Sequence, residues 1–97
     1  MAAQQLPDKD PGDTVDFPID FSPLLASSEQ ISSVMWTVPA GLTNVLEEID
    51  GTGKFAILWL SGGTAGVCYR ITASVVTDAS PQARTFERDF ILKVKEI

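Results

Sequence analysis

The chain contains no histidine and a single cysteine among its 97 residues, and each shortage closes off a class of chemistry. Without histidine, the commonest general base and the commonest ligand for zinc or copper are missing. One thiol makes neither an internal disulfide nor a cysteine-rich metal site. Cations are scarce as well. Seven Lys and Arg stand against thirteen Asp and Glu, a net charge of −6, whereas a phosphate-backbone binder needs a basic footprint. Long apolar runs are also absent: Phe55 to Leu60 is six residues, and a bilayer-spanning helix takes about 20. The opening MAAQQLPDKDPGD has neither the basic start nor the apolar stretch of a leader or anchor. These shortages describe a soluble protein made in a cytoplasm, with no cofactor and no nucleic-acid or membrane partner. Binding or assembly is expected of it, not catalysis.

What is present suits one small folded domain. Apolar residues make up 44% of the chain and charged residues 21%, far from the profile of a disordered segment. At this length the core is modest, so burial by a partner would add usefully to stability. Charge is unevenly spread: residues 1–20 carry −4, residues 21–48 carry −3, and residues 49–97 carry +1. Prolines at positions 7, 11, 18 and 23 forbid a helix in the acidic region. Residues 1–13 are read as an extended N-terminal arm, mobile or ordered by a partner, and residues 14–97 as a single domain.

Within that domain the hydrophobic period is two. Val15, Phe17, Ile19 and Phe21 alternate with Asp16, Pro18 and Asp20, giving one apolar face and one acidic face. Pro18 has no backbone donor, so this strand is expected at a sheet edge. A short helical turn at Pro23 to Ala26 leads to Ile31 to Val38, where Val34, Trp36 and Val38 share a face. Leu42 to Ile49 is a weaker strand closed by Asp50-Gly51-Thr52-Gly53, residues that tolerate positive φ. Lys54 to Leu60 is apolar on both faces and reads as a central buried strand. Val67, Tyr69, Ile71, Ala73 and Val75 alternate next, and Phe86, Phe90, Leu92 and Val94 line the last strand, with Arg88 and Ile91 breaking its pattern. About six or seven short strands with frequent turns and no useful helical pattern predict an all-β, immunoglobulin-like antiparallel β-sandwich. The Cys…Trp…Cys signature of antibody domains is absent.

The residues that could carry chemistry mostly have plainer explanations. Cys68 has no base to activate it and is expected to be a buried, inert thiol. Ser61 lacks both a nucleophile-elbow context and a base. Gly62-Gly63-Thr64-Ala65-Gly66 precedes a strand and lacks the lysine of a phosphate loop, so a strand-to-strand turn is expected. Glu47, Glu48 and Asp50 read as solubilising groups on a hairpin, since so short a chain leaves little room for a substrate cleft. Asp8, Asp10, Asp13, Asp16 and Asp20 do not fit a calcium loop; they are candidate partner contacts on a solvated acidic surface. Arg88, on an otherwise apolar face, is a further candidate for meeting another chain. Trp36 and Trp59 are expected in the core.

Longer strings narrow the reading. Trp36-Thr37-Val38-Pro39-Ala40-Gly41-Leu42-Thr43, Leu58-Trp59-Leu60-Ser61-Gly62-Gly63-Thr64-Ala65-Gly66 and Tyr69-Arg70-Ile71-Thr72 resemble a family of small tailed-bacteriophage structural proteins, the phage fibre–tail adaptor-like proteins. Lys9-Asp10-Pro11-Gly12-Asp13, Phe17-Pro18-Ile19-Asp20-Phe21 and Arg88-Asp89-Phe90 are similar too, so the likeness covers roughly residues 9–95. The chain departs from it at Val67-Cys68 and at Asp78 to Ala83. The resemblance implies a non-enzymatic virion protein, assembled in the bacterial host cytoplasm. Its expected role is that of an adaptor in the tail, neck or baseplate region, joining tail machinery to fibres or neighbouring rings. Other virion proteins are the expected partners, with a ring-like homo-oligomer in the particle. A capsid-decoration or head–tail joining protein stays open beside it. So does a host-glycan-binding sandwich, which would need Trp36, Trp59 or Tyr69 at the surface.

Overall fold

The computed structural model describes residues 3–97. Seven strands run in chain order as β1 (Gln4–Gln5), β2 (Val15–Asp20), β3 (Ile31–Thr37), β4 (Leu42–Ile49), β5 (Phe55–Gly62), β6 (Cys68–Thr77) and β7 (Thr85–Lys93). A single 3-10 turn, Ser22–Leu24, follows β2 with Pro23 in its first turn. The strands form two sheets, ordered β1-β7-β6-β3 and β2-β5-β4. Lettered in sequence, the strands lie as B-E-D against C-F-G, the connectivity of an immunoglobulin sandwich, with the first strand beside the last. The expected all-β sandwich is therefore the fold, with one addition: β1 pairs with β7 in parallel.

Alternation builds the core. Phe17 and Ile19 of β2, Ala56, Leu58 and Leu60 of β5, Ile71, Ala73 and Val75 of β6, and Phe90 and Leu92 of β7 are all buried between the layers. β2 is an edge strand, as Pro18 requires. The Phe21 amide donates to the Lys54 carbonyl, so odd-numbered residues of β2 face β5 and the nitrogen of Pro18 points away from the ladder. Tyr69, at the start of β6, accepts a hydrogen bond at Oη from the Thr64 amide at 2.9 Å. This is the tyrosine corner of immunoglobulin-like domains.

Three expectations need correction. Lys54 to Leu60 is central in its sheet but not buried on both faces, because only Ala56, Leu58 and Leu60 are covered by the opposite layer. Cys68 is exposed: Tyr69 points inward, so its neighbour takes the outward position opposite Lys93. The N-terminal segment is extended, but from Gln4 onward it is laid into the fold and not left as a mobile arm; Met1 and Ala2 lie outside the described residues. Gln4 and Gln5 pair with Phe90 and Ile91, and Leu6 is buried.

Lys9 completes this docking. Its amide donates to the Lys93 carbonyl at 3.1 Å, and its carbonyl accepts from the Lys95 amide at 2.9 Å. The side chain then crosses to the other sheet, where Nζ donates to the Gly62 carbonyl at 2.6 Å and to the Asp10 carbonyl at 2.9 Å. Lys9 is 1% exposed. A buried ammonium is tolerated only where it is hydrogen-bonded. Replacing it by methionine keeps much of the aliphatic stem but leaves two carbonyls without this donor. Lys9→Met should therefore destabilise the fold by about 1–3 kcal/mol, lowering the melting temperature by roughly 4–8 °C per kcal/mol in a domain of this size. Thermal unfolding followed by circular dichroism measures this, and an unchanged midpoint would show that Lys9 fastens nothing.

Candidate functional site

Directly paired residues of an antiparallel sheet share a face. Ala56, Leu58 and Leu60 look inward, so Phe55, Ile57 and Trp59 look outward. On β2 the register sets Asp16 beside Trp59, Pro18 beside Ile57 and Asp20 beside Phe55. On β4 it sets Leu46 beside Trp59 and Glu48 beside Ile57. The outer face of β2-β5-β4 thus has an apolar diagonal of Pro18, Phe55, Ile57, Trp59 and Leu46, bordered by Asp16, Asp20 and Glu48. Phe55, Ile57 and Trp59 are half-buried, and Leu46 is 48% exposed. The solvent side of such a sheet is ordinarily polar.

β4 extends this surface. Asn44, Glu47 and Ile49 pair with Leu60, Leu58 and Ala56, which gives them the inward side, yet all three are exposed. The opposite layer does not reach under them. A register shift between Asn44 and Leu46 leaves Val45 as the extra residue of a bulge, a device that disrupts edge pairing. Glu47 accepts from Asn44 Nδ2 at 2.7 Å, and Glu48 accepts from Trp59 Nε1 at 2.9 Å.

Charge follows the layers. β2, β4 and β5 contain Asp16, Asp20, Glu47 and Glu48 and no Lys or Arg. The strands of the other sheet hold Arg70, Arg88 and Lys93 against Glu87 and Asp89. Among the described residues the ion pairs are Arg70–Asp89, Arg84–Glu29 and Lys95–Asp8, none of which neutralises the acidic sheet.

The residues singled out from sequence scatter around this face. Asp16 and Asp20 stand on its rim, and Asp20 also accepts from the Ser22 amide at 2.9 Å. Asp8 meets Lys95 at 3.2 Å, beside a cleft of about 340 Å³ between Leu6-Pro7-Asp8 and Val15 to Pro18. Asp10 accepts from the amides of Ile97 and Gly12 at 3.0 and 2.8 Å, bonds that hold its carboxyl below the ordinary value and tie down the chain's last residue. Asp13 is exposed in the loop before β2. Arg88 belongs to the other sheet, opposite Ala73, with its guanidinium 5.8 Å from the Phe86 ring centroid. The sequence reading missed Phe55, Ile57 and Leu46 as surface groups and placed Trp59 in the core, whereas its parity with Phe55 and Ile57 turns it outward. Their signal was a strand apolar on both faces in a protein whose other strands alternate.

Other candidates are accounted for internally. Three amides of the glycine run are spent on Gly41 O (from Gly63, 2.9 Å), Tyr69 Oη (from Thr64, 2.9 Å) and Val94 O (from Gly66, 2.8 Å), which breaks up any cradle of convergent amides for phosphate. Trp36 faces inward, with its ring 6.2 Å from that of Phe90, and Tyr69 is buried. Trp59 alone of these three aromatics lies on an outer face. No group of three or more acidic, cysteine or histidine side chains suited to a metal ion occurs among the described residues.

The model of the podophage GP4 fiber-tail adaptor protein gp77 family matches residues 9–93. The chain belongs to this family. Comparison with curated proteins and with solved structures gave no match. The match begins at the buried Lys9, ends with β7 and contains the whole acid-rimmed face. Membership supports a tail-adaptor role, makes the chain a virion component, and implies contact with other tail or fibre proteins.

In this adaptor the end of the sandwich opposite Lys9 is fixed by Glu29, which is 4% exposed. Its carboxylate accepts from Thr77 Oγ1 at 2.6 Å, the Ala26 amide at 2.9 Å and Arg84 Nη1 at 2.9 Å. Lys54 Nζ caps the same turn through the carbonyls of Ala26, Ser27 and Glu29. The Thr77 bond first, then the Ala26 amide, with a smaller contribution from Arg84, hold the Glu29 carboxyl below its ordinary value of 4.5. Stabilisation from Glu29 is therefore complete above that value and is lost as pH falls through the lowered one. Asp10, Asp50 and Asp89 are depressed too, from an ordinary value of 3.8, so the wild-type melting temperature should hold above these ordinary carboxylate values and drop as pH falls from them through the lowered ones. Glu29→Gln should remove part of that drop. Parallel curves for the two proteins would show that Glu29 titrates without consequence for the fold.

Proposed function

We propose that this chain is a non-enzymatic adaptor that joins tail machinery to fibres or to a neighbouring ring, working through protein–protein contact. The observation that carries the reading is the family match over both sheets. Its chemistry agrees: the carboxylates stand on an open sheet face instead of converging in a cleft, and the amides of Gly63, Thr64 and Gly66 are already bonded within the chain. In the particle the chain forms a ring-like homo-oligomer, in which several copies of one modest contact act together. Residues 14–97 make up the domain proper and residues 1–13 its extended N-terminal arm, of which Gln4 and Gln5 add a strand beside β7. Assembly takes place in the host cytoplasm. For a glycan-binding role Trp59 offers an outward ring, but its N–H is committed to Glu48 and its neighbours Ile57, Leu46 and Phe55 offer a sugar few hydrogen bonds.

Particles assembled without this chain should have tails that carry no fibres. Wild-type protein supplied during assembly should restore both its own band in purified particles and the fibres visible by negative-stain microscopy. Normal fibre numbers in its absence would overturn the adaptor role.

A further inference from the structure

We infer that the outer face of β2-β5-β4 is the docking surface for a different chain, one that presents an apolar ridge flanked by lysine or arginine. The inference rests on the adaptor reading and deepens it by naming the surface and the partner's chemistry. Two observations meet at this face. Phe55, Ile57 and Trp59 leave the central strand half-covered on its solvent side, with exposed Leu46 and Pro18 continuing the strip across both neighbouring strands. A continuous apolar strip of this kind on a solvent face marks an interaction site. The second observation is the charge. The outer face of the sheet carries three carboxylates, Asp16, Asp20 and Glu48, and no cation, and no ion pair among the described residues involves any of the three.

The charge also decides among occupants. A second copy docked through the same face would set Asp16, Asp20 and Glu48 against their own equivalents, and like charges brought together at an interface are costly. A second copy docked through its other sheet would offer Arg70, Arg88 and Lys93. Arg70 is already paired with Asp89 at 2.7 Å, Arg88 takes an inward-side position opposite Ala73, and Glu87 and Asp89 stand on the same sheet. A partner with its own unpaired cations around an apolar centre suits both features. The apolar strip then supplies the buried core of the interface, and the rim charges steer and register the encounter.

The test adds full-length protein to particles assembled without it and measures incorporation by quantitative immunoblot, at low and at moderate salt. Ile57→Lys places a like-signed charge where the partner's cations should lie and should reduce incorporation at least about tenfold. The triple variant Asp16→Asn, Asp20→Asn, Glu48→Gln keeps acceptors for Ser22 and Trp59. It should lose roughly three- to tenfold at low salt and lose most of the salt dependence that the wild type shows. Lys93→Gln, on the outer side of the other sheet, should incorporate normally. Wild-type incorporation by the triple variant with its salt dependence intact, or an equal loss for Lys93→Gln, overturns the assignment, even if Ile57→Lys fails to fold. Sedimentation of the isolated proteins separates the occupants: a wild-type oligomer that Ile57→Lys converts to monomer would mean that a second copy covers the face, and the basic partner would be rejected. Failure of wild-type protein to incorporate at all would count against the adaptor reading itself, whereas wild-type incorporation matched by the variants would reject only this face.

Discussion

Two lysines bonded to main-chain carbonyls hold β5 at its ends, and the presentation of its outer face depends on them. At one end Lys9 enters from the strand beside β7 and donates to Gly62, the last residue of β5. At the other, Lys54 donates to the turn that closes β2 onto β3, while Glu29 draws in Thr77 from the opposite sheet and Arg84 from the loop before β7. A chain of 97 residues buries only a modest core, so polar closures at the rims of the layers carry a larger share of its order. The strand between them cannot slide or tilt without breaking one of these hydrogen bonds. Gly63 shows how tight the first closure is. It lies at φ +98°, and a Cβ there would come within 2.7 Å of Val94 Cγ2, so only glycine lets the loop cross so close to the final strand.

Holding β5 in place matters because affinity depends on what need not be ordered at the moment of binding. Phe55, Ile57 and Trp59 project from one rigid strand, and the Trp59 indole is anchored by Glu48. Their spacing is that of the pleat and is set before any partner arrives. The acidic rim is fixed in the same way: Asp20 is engaged by the Ser22 amide, and Asp16 shares a register row with Trp59. Of the net charge of −6, −4 belongs to the strands of the sheet whose outer face is apolar.

Period-two alternation was enough to read the sandwich, because β2, β6 and β7 each bury one face and the pattern of a half-buried strand is unambiguous. Pro18 gave the edge position of β2, since a missing donor has a place only outside a ladder. The features that escaped depend on what faces what across the two layers. A strand apolar on both sides looks the same in one dimension whether a second layer covers it or leaves it open, so KFAILWL read as buried. Cys68 was misplaced because a thiol's usual preference for burial was set above the alternation that turns Tyr69 inward and Cys68 outward. Lys9 looked like one cation in an acidic, proline-rich stretch, and nothing local reveals that its carbonyl acceptor lies 53 residues away at Gly62. Of the candidate contacts, Asp16 and Asp20 stand on the apolar face, while Asp10 is turned to the chain's own C-terminal residue.

An apolar strip left open on a small all-β protein carries a hazard, since exposed sheet surface and unpaired edges invite self-association. The devices that limit it are the same ones that specify the partner. Pro18 removes a donor from the outer edge of β2, the Val45 bulge interrupts the edge of β4, and the carboxylates around the strip set like charge against like whenever two copies approach face to face. Each of these acts against a second copy of the chain, and the charges act in favour of a cationic one. A surface that had only to stay soluble could have replaced Ile57 and Phe55 with polar residues. Keeping them apolar while surrounding them with aspartate and glutamate is the arrangement expected of a face that must wait uncombined and then accept one kind of neighbour.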